Sequence, residues 1–238
     1  MRGLNSNEIN LLILCGGQGK RLRSCVDDRP KALAEIAGKA FLDILIDSLS
    51  QYSFNRIILS VGYLKEQIKE HFDINPDDRI IFSEEEIPLG TGGALKKARP
   101  LLGRSTFLVM NGDSVCNIDF EKLFNFHKTN NALMSMVLTR AETSKDYGFV
   151  AIDDLNKIIS FKEKVKIQKD ALVSAGIYLM QNEIFNYLPS QDCFSLEHDF
   201  FPKILDKGCY GYVVKSELID IGTPERYKRA NNLLKKKD

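Results

Sequence analysis

The chain has 238 residues, with 33 Lys+Arg against 32 Asp+Glu and an apolar share of 44%. At about 150 residues per domain this allows one large α/β domain, or one domain with a small appendage, and it is enough chain to bury a sizeable core. A net charge of +1 argues against a general nucleic-acid binder, which is usually clearly basic, and the composition excludes a disordered chain, while a locally basic pocket for a small anion stays open.

Ile9 to Cys15 is a short apolar run ending in Gly16-Gly17, which reads as a buried strand. A loop rich in Gly, Arg and Lys follows. Phe41, Leu45, Leu49 and Tyr52 recur at helical spacing, so a helix is expected over 41–52. Arg56 to Val61 reads as a second strand, and Leu64, Ile68 and Phe72 mark a second helix. Arg79 to Phe82 and Thr106 to Met110 read as the third and fourth strands, with a helix around Ala94 to Ala98 between them. Strand alternating with helix implies right-handed βαβ units and a parallel sheet.

After Asp119 the strand-like runs become denser, at 133–139, 148–152, 157–161 and 172–180. Helical segments return near 181–187 and 197–206. A final strand-like run ends at Asp220, and a helix follows Pro224. The expected fold is α/β: a Rossmann-like, mostly parallel mixed sheet flanked by helices, with extra antiparallel strands in the second half. We expect one domain over 1–238, in two halves at about 9–118 and about 119–230. Lys235-Lys236-Lys237 reads as a solvated tail.

Leu11 to Cys15 is far too short for a membrane span and lacks the layout of a secretion signal. The five cysteines (Cys15, Cys25, Cys116, Cys193 and Cys209) show no paired metal spacing. They read as reduced thiols, most of them small apolar residues, in a cytoplasmic protein with no membrane partner. Whether copies of the chain assemble with one another is left open.

The first loop, Leu14-Cys15-Gly16-Gly17-Gln18-Gly19-Lys20-Arg21-Leu22, has three glycines that let backbone N–H groups approach and cradle phosphate oxygens. It is not a Walker loop, because Leu14 stands at the upstream glycine position and Arg21 follows the lysine. It is not a dinucleotide fingerprint, because Leu22 replaces the last glycine. Arg21, Arg23 and Lys31 follow closely, and cations around a glycine loop suit a triphosphate. Taken singly, each cation would read as a solvated charge.

These residues resemble the sugar-nucleotidyltransferases, whose motif is L-x-G-G-x-G-x-R-L, a variable stretch, then P-K. Here the chain reads LCGGQGKRL, RSCVDDR, then Pro30-Lys31, with Lys20 where a small hydroxyl residue is common and Ala32 where a second proline is usual. The resemblance implies Arg21 and Lys31 as catalytic residues. It implies nucleotide binding by Leu14, Gly16, Gly17, Gly19 and Lys20.

A second glycine cluster, Pro88-Leu89-Gly90-Thr91-Gly92-Gly93-Ala94, leads into a helix. It reads either as a helix entry capped by Thr91 or as a surface for a flat base. The resemblance favours the base, adding Gly90, Thr91 and Gly92 to the nucleotide set. Met110-Asn111-Gly112-Asp113 closes the fourth strand, where ligands of parallel α/β sheets gather, though Asn-Gly-Asp is also ordinary turn chemistry. The resemblance places Asn111 and Gly112 with the nucleotide. Asp113 and Asp220 would be the ligands of a Mg²⁺ ion, completed by triphosphate oxygens. Thr223 and Pro224 read as the N-cap and first residue of the last helix.

For the sugar phosphate the resemblance implies Tyr147, Gly148, Glu163, Lys164, Gly176 and Glu197. Phe161-Lys162-Glu163-Lys164 looks like the family's F-x-E-K, although by period alone it is an exposed charged turn. Ser174-Ala175-Gly176-Ile177-Tyr178 resembles N-x-G-x-Y with Ser174 in place of Asn. The variable stretch, Ser60-Val61-Gly62-Tyr63-Leu64 and the second glycine cluster resemble the stand-alone heptose-1-phosphate guanylyltransferases. The substrates implied are a nucleoside triphosphate and a sugar 1-phosphate, for the supply of capsule or surface polysaccharide. Mannose-1-phosphate guanylyltransferase and N-acetylmuramate-1-phosphate uridylyltransferase remain alternatives within the class. A catalytically silent nucleotide sensor is the alternative outside it, and a dinucleotide-dependent oxidoreductase is disfavoured by Leu22.

Overall fold

The computed structural model describes residues 9–74, 76–141, 147–163 and 170–234. Its strands are β1 (Asn10–Leu14), β2 (Glu35–Ile36), β3 (Lys39–Ala40), β4 (Arg56–Val61), β5 (Ile80–Glu84), β6 (Phe107–Asn111), β7 (Ser114–Cys116), β8 (Met134–Ala141), β9 (Phe149–Ile152), β10 (Ile158–Lys162), β11 (Ala171–Met180), β12 (Cys209–Val213) and β13 (Leu218–Asp220). Its helices are α1 (Phe41–Asp47), α2 (Lys65–Ile74), α3 (Gly90–Leu102), α4 (Phe120–Thr129), α5 (Phe201–Ile204) and α6 (Pro224–Leu234).

The main sheet runs β10-β9-β11-β6-β1-β4-β5. β6, β1, β4 and β5 are parallel, whereas β11 joins β6 antiparallel and carries the second half of the chain onto the same sheet. β8 pairs with β11, and β12 pairs parallel to β8. This is the expected mixed sheet with antiparallel strands added late.

The strands are apolar on both faces because both faces are covered. Leu11 and Ile13 of β1 point into one core with Ile57, Leu59, Leu108 and Met110. Leu12 points into the other with Ile58, Phe107 and Val109. α1, α2, α4 and α6 cover the first face. α3 covers the second, together with a π-helical turn at Leu196–Phe200 that runs into α5.

Three elements differ from expectation. The helix predicted over 41–52 ends at Asp47, and three-residue turns carry Leu49 into the core instead. α4 was not expected, although Asp119 caps it and Phe120, Leu123, Phe124 and His127 form a buried stripe. The last strand-like run is two strands, β12 and β13, in different sheets. Thr223 caps α6 as expected, its Oγ1 accepting from Arg226 N at 3.4 Å.

Candidate active site

β1 has β4 on one side and β6 on the other: the chain moves outward from β1 to β4 and β5, then crosses back to β6, so the direction of the connections reverses beside β1. A crevice forms at the C-terminal ends of strands at such a switch point. The glycine loop after β1 and Asn111-Gly112-Asp113 after β6 flank it. Leu14 pairs with Asn111, and Gly112 N donates to Leu14 O at 3.0 Å. A Cβ on Gly112 would stand 2.8 Å from Leu14 O, so only glycine fits between the two strand ends.

Two cavities open from this crevice. The larger, about 280 Å³, is lined by Leu14, Gly16, Gly17, Lys31, Gly90 and Thr91, with Asn111, Gly112 and Asp113 on its inner side. Glu85 and Ser60 also face it. Glu85 is 8% exposed. Ser60 Oγ donates to its Oε1 at 2.9 Å, and Leu89 N donates to its Oε2 at 3.0 Å. A fixed, buried, acceptor-only group therefore faces the larger cavity.

The smaller cavity, about 140 Å³, is lined by Arg21, Tyr147, Gly148, Glu163, Gly176 and Glu197, with Asp220 and Arg226. It shares Asn111 and Asp113 with the larger one. Lys31 Nζ is ion-paired with Asp113 Oδ2, so one lysine stands where the two cavities meet. Burial alone would raise the Asp113 carboxyl, but Lys31, and Arg21 beyond it, hold it below the usual carboxylate range. β13 pairs with β7, placing Asp220 opposite Ser114, next to Asp113. Asp220 Oδ2 accepts from the Tyr147 hydroxyl at 2.5 Å. Its Oδ1 accepts from Arg226 Nη1 at 3.1 Å and Gly222 N at 3.0 Å. Arg226 also lies over the Tyr147 ring at 4.1 Å. Burial, and then the Asp220 charge, push the Tyr147 hydroxyl up, so it stays a donor.

The second glycine cluster corrects the sequence reading. Gly90 and Thr91 line the larger cavity, but Gly92 does not: the Phe194 ring covers it, and a Cβ there would stand 2.1 Å from Phe194 Cε2. The Gly92 and Gly93 amides donate to Phe194 O, so they are engaged inside the protein. Thr91 is not the cap of α3, because the helix already begins at Gly90. Its hydroxyl instead donates to Glu197 Oε2 at 2.7 Å and accepts from Leu196 N at 2.9 Å. Glu197 is thereby fixed at the smaller cavity from α3, while Ser195 caps its own turn.

Among the other expected residues, Gly19 lines neither cavity; it takes φ +60° with Lys31 Cβ 3.1 Å from where its side chain would be, which seats the loop against Lys31. Lys20 is exposed and lines neither cavity. Lys164 and the 235–237 tail lie outside the described residues. Sequence reasoning missed Glu85 and Arg226. A carboxylate just past a parallel strand was the available signal for Glu85, as it was for Asp113. Nothing local marked Arg226.

All five cysteines are free thiols. Burial, and secondarily Asp113, push the Cys15 thiol well above its ordinary value, so it is not a poised nucleophile. The donor set fits Mg²⁺: two hard carboxylates, Asp113 and Asp220, border one cavity. Among the described residues no cluster of three or more His, Cys, Asp or Glu could hold a metal, so substrate oxygens and water would complete the shell. Also among the described residues, no helix is long and apolar enough to cross a membrane.

A family model described as "Nucleotidyl transferase" matches residues 10–237. The chain is 37% identical over 91% of its length to the D-glycero-alpha-D-manno-heptose 1-phosphate guanylyltransferase of Campylobacter jejuni, covering 96% of that protein. It is 36% identical over 94% of its length to the enzyme of the same name from Aneurinibacillus thermoaerophilus, covering 97% of it. The crystal structure of HddC from Yersinia pseudotuberculosis complexed with GMP-PN matches with a TM-score of 0.83 at 33% identity, covering 95% of this chain and 99% of that one.

Proposed function

The chain belongs to the nucleotidyl transferase family, and we propose that it transfers GMP from GTP to D-glycero-alpha-D-manno-heptose 1-phosphate, releasing pyrophosphate. The observation that carries this reading is the pair of cavities meeting at Asp113 and Lys31. One is bordered by a glycine loop and suits a nucleotide. The other is small and polar and suits a sugar phosphate.

A phosphate oxygen of the sugar 1-phosphate attacks the α-phosphorus of GTP. The bond from that phosphorus to the bridging oxygen of the β-phosphate breaks, and its electron pair leaves with pyrophosphate. Positioning and charge neutralisation supply most of the catalysis. Lys31 neutralises charge developing at the α-phosphate, where the cavities join. The amides of the glycine loop hold the leaving phosphates, while Arg21, which the resemblance would put with them, lines the smaller cavity and faces the phosphate of the acceptor. Asp113 and Asp220 would hold Mg²⁺, which when bound neutralises phosphate oxygens. Glu163 and Glu197 accept from sugar hydroxyls, and Lys164 would orient the attacking phosphate.

Glu85 supports guanine as the base. Guanine presents two adjacent donors, N1–H and the N2 amino group, on one edge, and a carboxylate accepts both. Uracil and thymine present a single N–H between two carbonyls, which a carboxylate repels. The nucleotide-activated heptose is a glycosyl donor, which suits a role in surface polysaccharide synthesis in the cytoplasm.

A panel tests the reading: GTP, UTP, CTP and dTTP against heptose-, mannose- and N-acetylmuramate 1-phosphate, followed by pyrophosphate release. The highest kcat/KM is expected for GTP with the heptose phosphate. A higher value for mannose 1-phosphate, or for UTP with N-acetylmuramate 1-phosphate, would replace it with that activity. Nucleotide binding without turnover on any sugar phosphate would point to a sensor.

A further inference from the structure

Asn111 ends β6 at the wall shared by both cavities. Its Oδ1 is buried and has no hydrogen-bond partner. Such an atom is uncommon in a folded protein and calls for a physical reason. Strand alternation puts Asn111 on the same sheet face as Phe107 and Val109, which belong to the core beneath α3 and Tyr178. Its neighbour across the sheet is Gly176, at the bulge where β11 shifts register between Ser174 and Tyr178.

Gly176 has φ +72°, and a Cβ there would stand 2.7 Å from Asn111 Nδ2 and 3.0 Å from its Cγ. A side chain at 176 would therefore collide with the Nδ2 end of the carboxamide, and the glycine lets Asn111 keep its place in the lining of the smaller cavity. Nearby polar groups are already matched to one another. The Ser174 hydroxyl donates to Tyr178 Oη at 3.2 Å and accepts from Gly176 N at 3.2 Å. On the nucleotide side, the Gly112 backbone rather than the Asn111 side chain closes against β1.

We propose that the Asn111 carboxamide is a specificity determinant for the acceptor, hydrogen-bonding a ring hydroxyl of the sugar 1-phosphate in the smaller cavity, which Asn111 lines beside Gly176. Phosphate oxygens carry no proton and cannot satisfy a carbonyl oxygen, whereas a sugar hydroxyl both donates and accepts, so it can meet either end of the carboxamide. This moves Asn111 from the nucleotide, where the family resemblance placed it, to the sugar. The assignment rests on the proposed sugar 1-phosphate acceptor.

The test is a cycle between side chain and substrate. Sugar 1-phosphates lacking one ring hydroxyl at a time are compared in the wild-type enzyme, Asn111→Ala and Asn111→Ser, with dGTP against GTP as the control for the ribose. In the wild type, loss of one particular hydroxyl should lower kcat/KM by roughly 10-fold or more, as expected when a site built for a hydroxyl is left unpaired. In Asn111→Ala that deoxy sugar and its parent should differ by less than about 3-fold, with the KM for GTP unchanged. Asn111→Ser should fall between them, and thermal unfolding shows whether each variant is folded. Two results overturn the assignment alone: the same hydroxyl dependence in wild type and Asn111→Ala, or a change confined to GTP and its dGTP discrimination. A folded wild-type enzyme that turns over no sugar 1-phosphate overturns the proposed function and this assignment with it.

Discussion

The two cavities at the head of the sheet share a wall but are assembled differently. The larger is built mainly at the C-terminal ends of parallel strands of the main sheet: the glycine loop after β1, Glu85 after β5 and Asn111-Gly112-Asp113 at the end of β6. The smaller draws Arg21, Tyr147, Glu163, Gly176, Glu197, Asp220 and Arg226 from seven separate segments of the chain. The first is a property of βαβ geometry, which offers backbone amides wherever a strand ends. The second exists only because β11 bends beside β6 and β13 pairs with β7. Phosphate recognition is thus local, and acceptor recognition depends on long-range packing.

Lys31 lines the larger cavity and is ion-paired with Asp113, which both cavities share, so its loss is expected to have the largest effect. Lys31→Ala should keep its fold and lose roughly 10²-fold or more in turnover, as when one charge-stabilising donor is removed. Steady-state pyrophosphate release, with circular dichroism as the control, measures it, and near-normal turnover would separate the cavities functionally.

Glu85 tests the larger cavity alone. Glu85→Gln should reduce the preference for GTP over UTP by roughly 10–10²-fold in kcat/KM, with the KM for the sugar phosphate unmoved. An unchanged base preference would take guanine recognition away from this carboxylate.

Gly92 tests the scaffold behind that cavity. Gly92→Ala forces a methyl group into the Phe194 ring and should destabilise by about 1–3 kcal/mol through overpacking. A thermal melt reads this, and an unchanged midpoint would show that Phe194 yields freely.

His127 lies in the second half, remote from either cavity lining, and gives the smallest effect. Burial lowers its pKa from 6.5 to about 4, its Nδ1 pairs with Ser135 Oγ at 2.9 Å, and its Nε2 has no partner. Between those pKa values the unfolded chain binds the proton and the folded one does not, so stability falls as pH drops below 6.5 and levels out below about 4. From pH 7 to pH 5.5 this amounts to about 1 kcal/mol, and His127→Asn should remove it from a pH series of thermal midpoints.

The same division explains what the sequence made legible. β1, β4 and β6 could be read because strands buried on both faces are continuously apolar. The glycine loop, Lys31 and Asp113 could be read because their chemistry is contiguous or sits at a strand end. Thr91 lines the larger cavity as expected, but its bond to Glu197 was not legible, because only the fold brings Glu197 to it. Gly92 was misread because a glycine that admits a ligand and a glycine that admits a phenylalanine ring have one local signature. α4 was legible but overlooked, since its stripe of Phe120, Leu123, Phe124 and His127 has helical spacing. Arg226, only six residues beyond Asp220 and in the first turn of α6, was passed over because a single arginine there reads as a solvated charge.

In the proposed reaction a sugar phosphate in the smaller cavity attacks the α-phosphorus of a GTP held in the larger one. The most direct test of this follows two samples of GTP, one radiolabelled at the α-phosphorus and one at the γ-phosphorus, incubated with the enzyme, Mg²⁺ and heptose 1-phosphate. The α label is expected in GDP-heptose and the γ label in pyrophosphate, in equal amounts. An α label in GDP with the γ label on the sugar, or neither label leaving GTP, would contradict it.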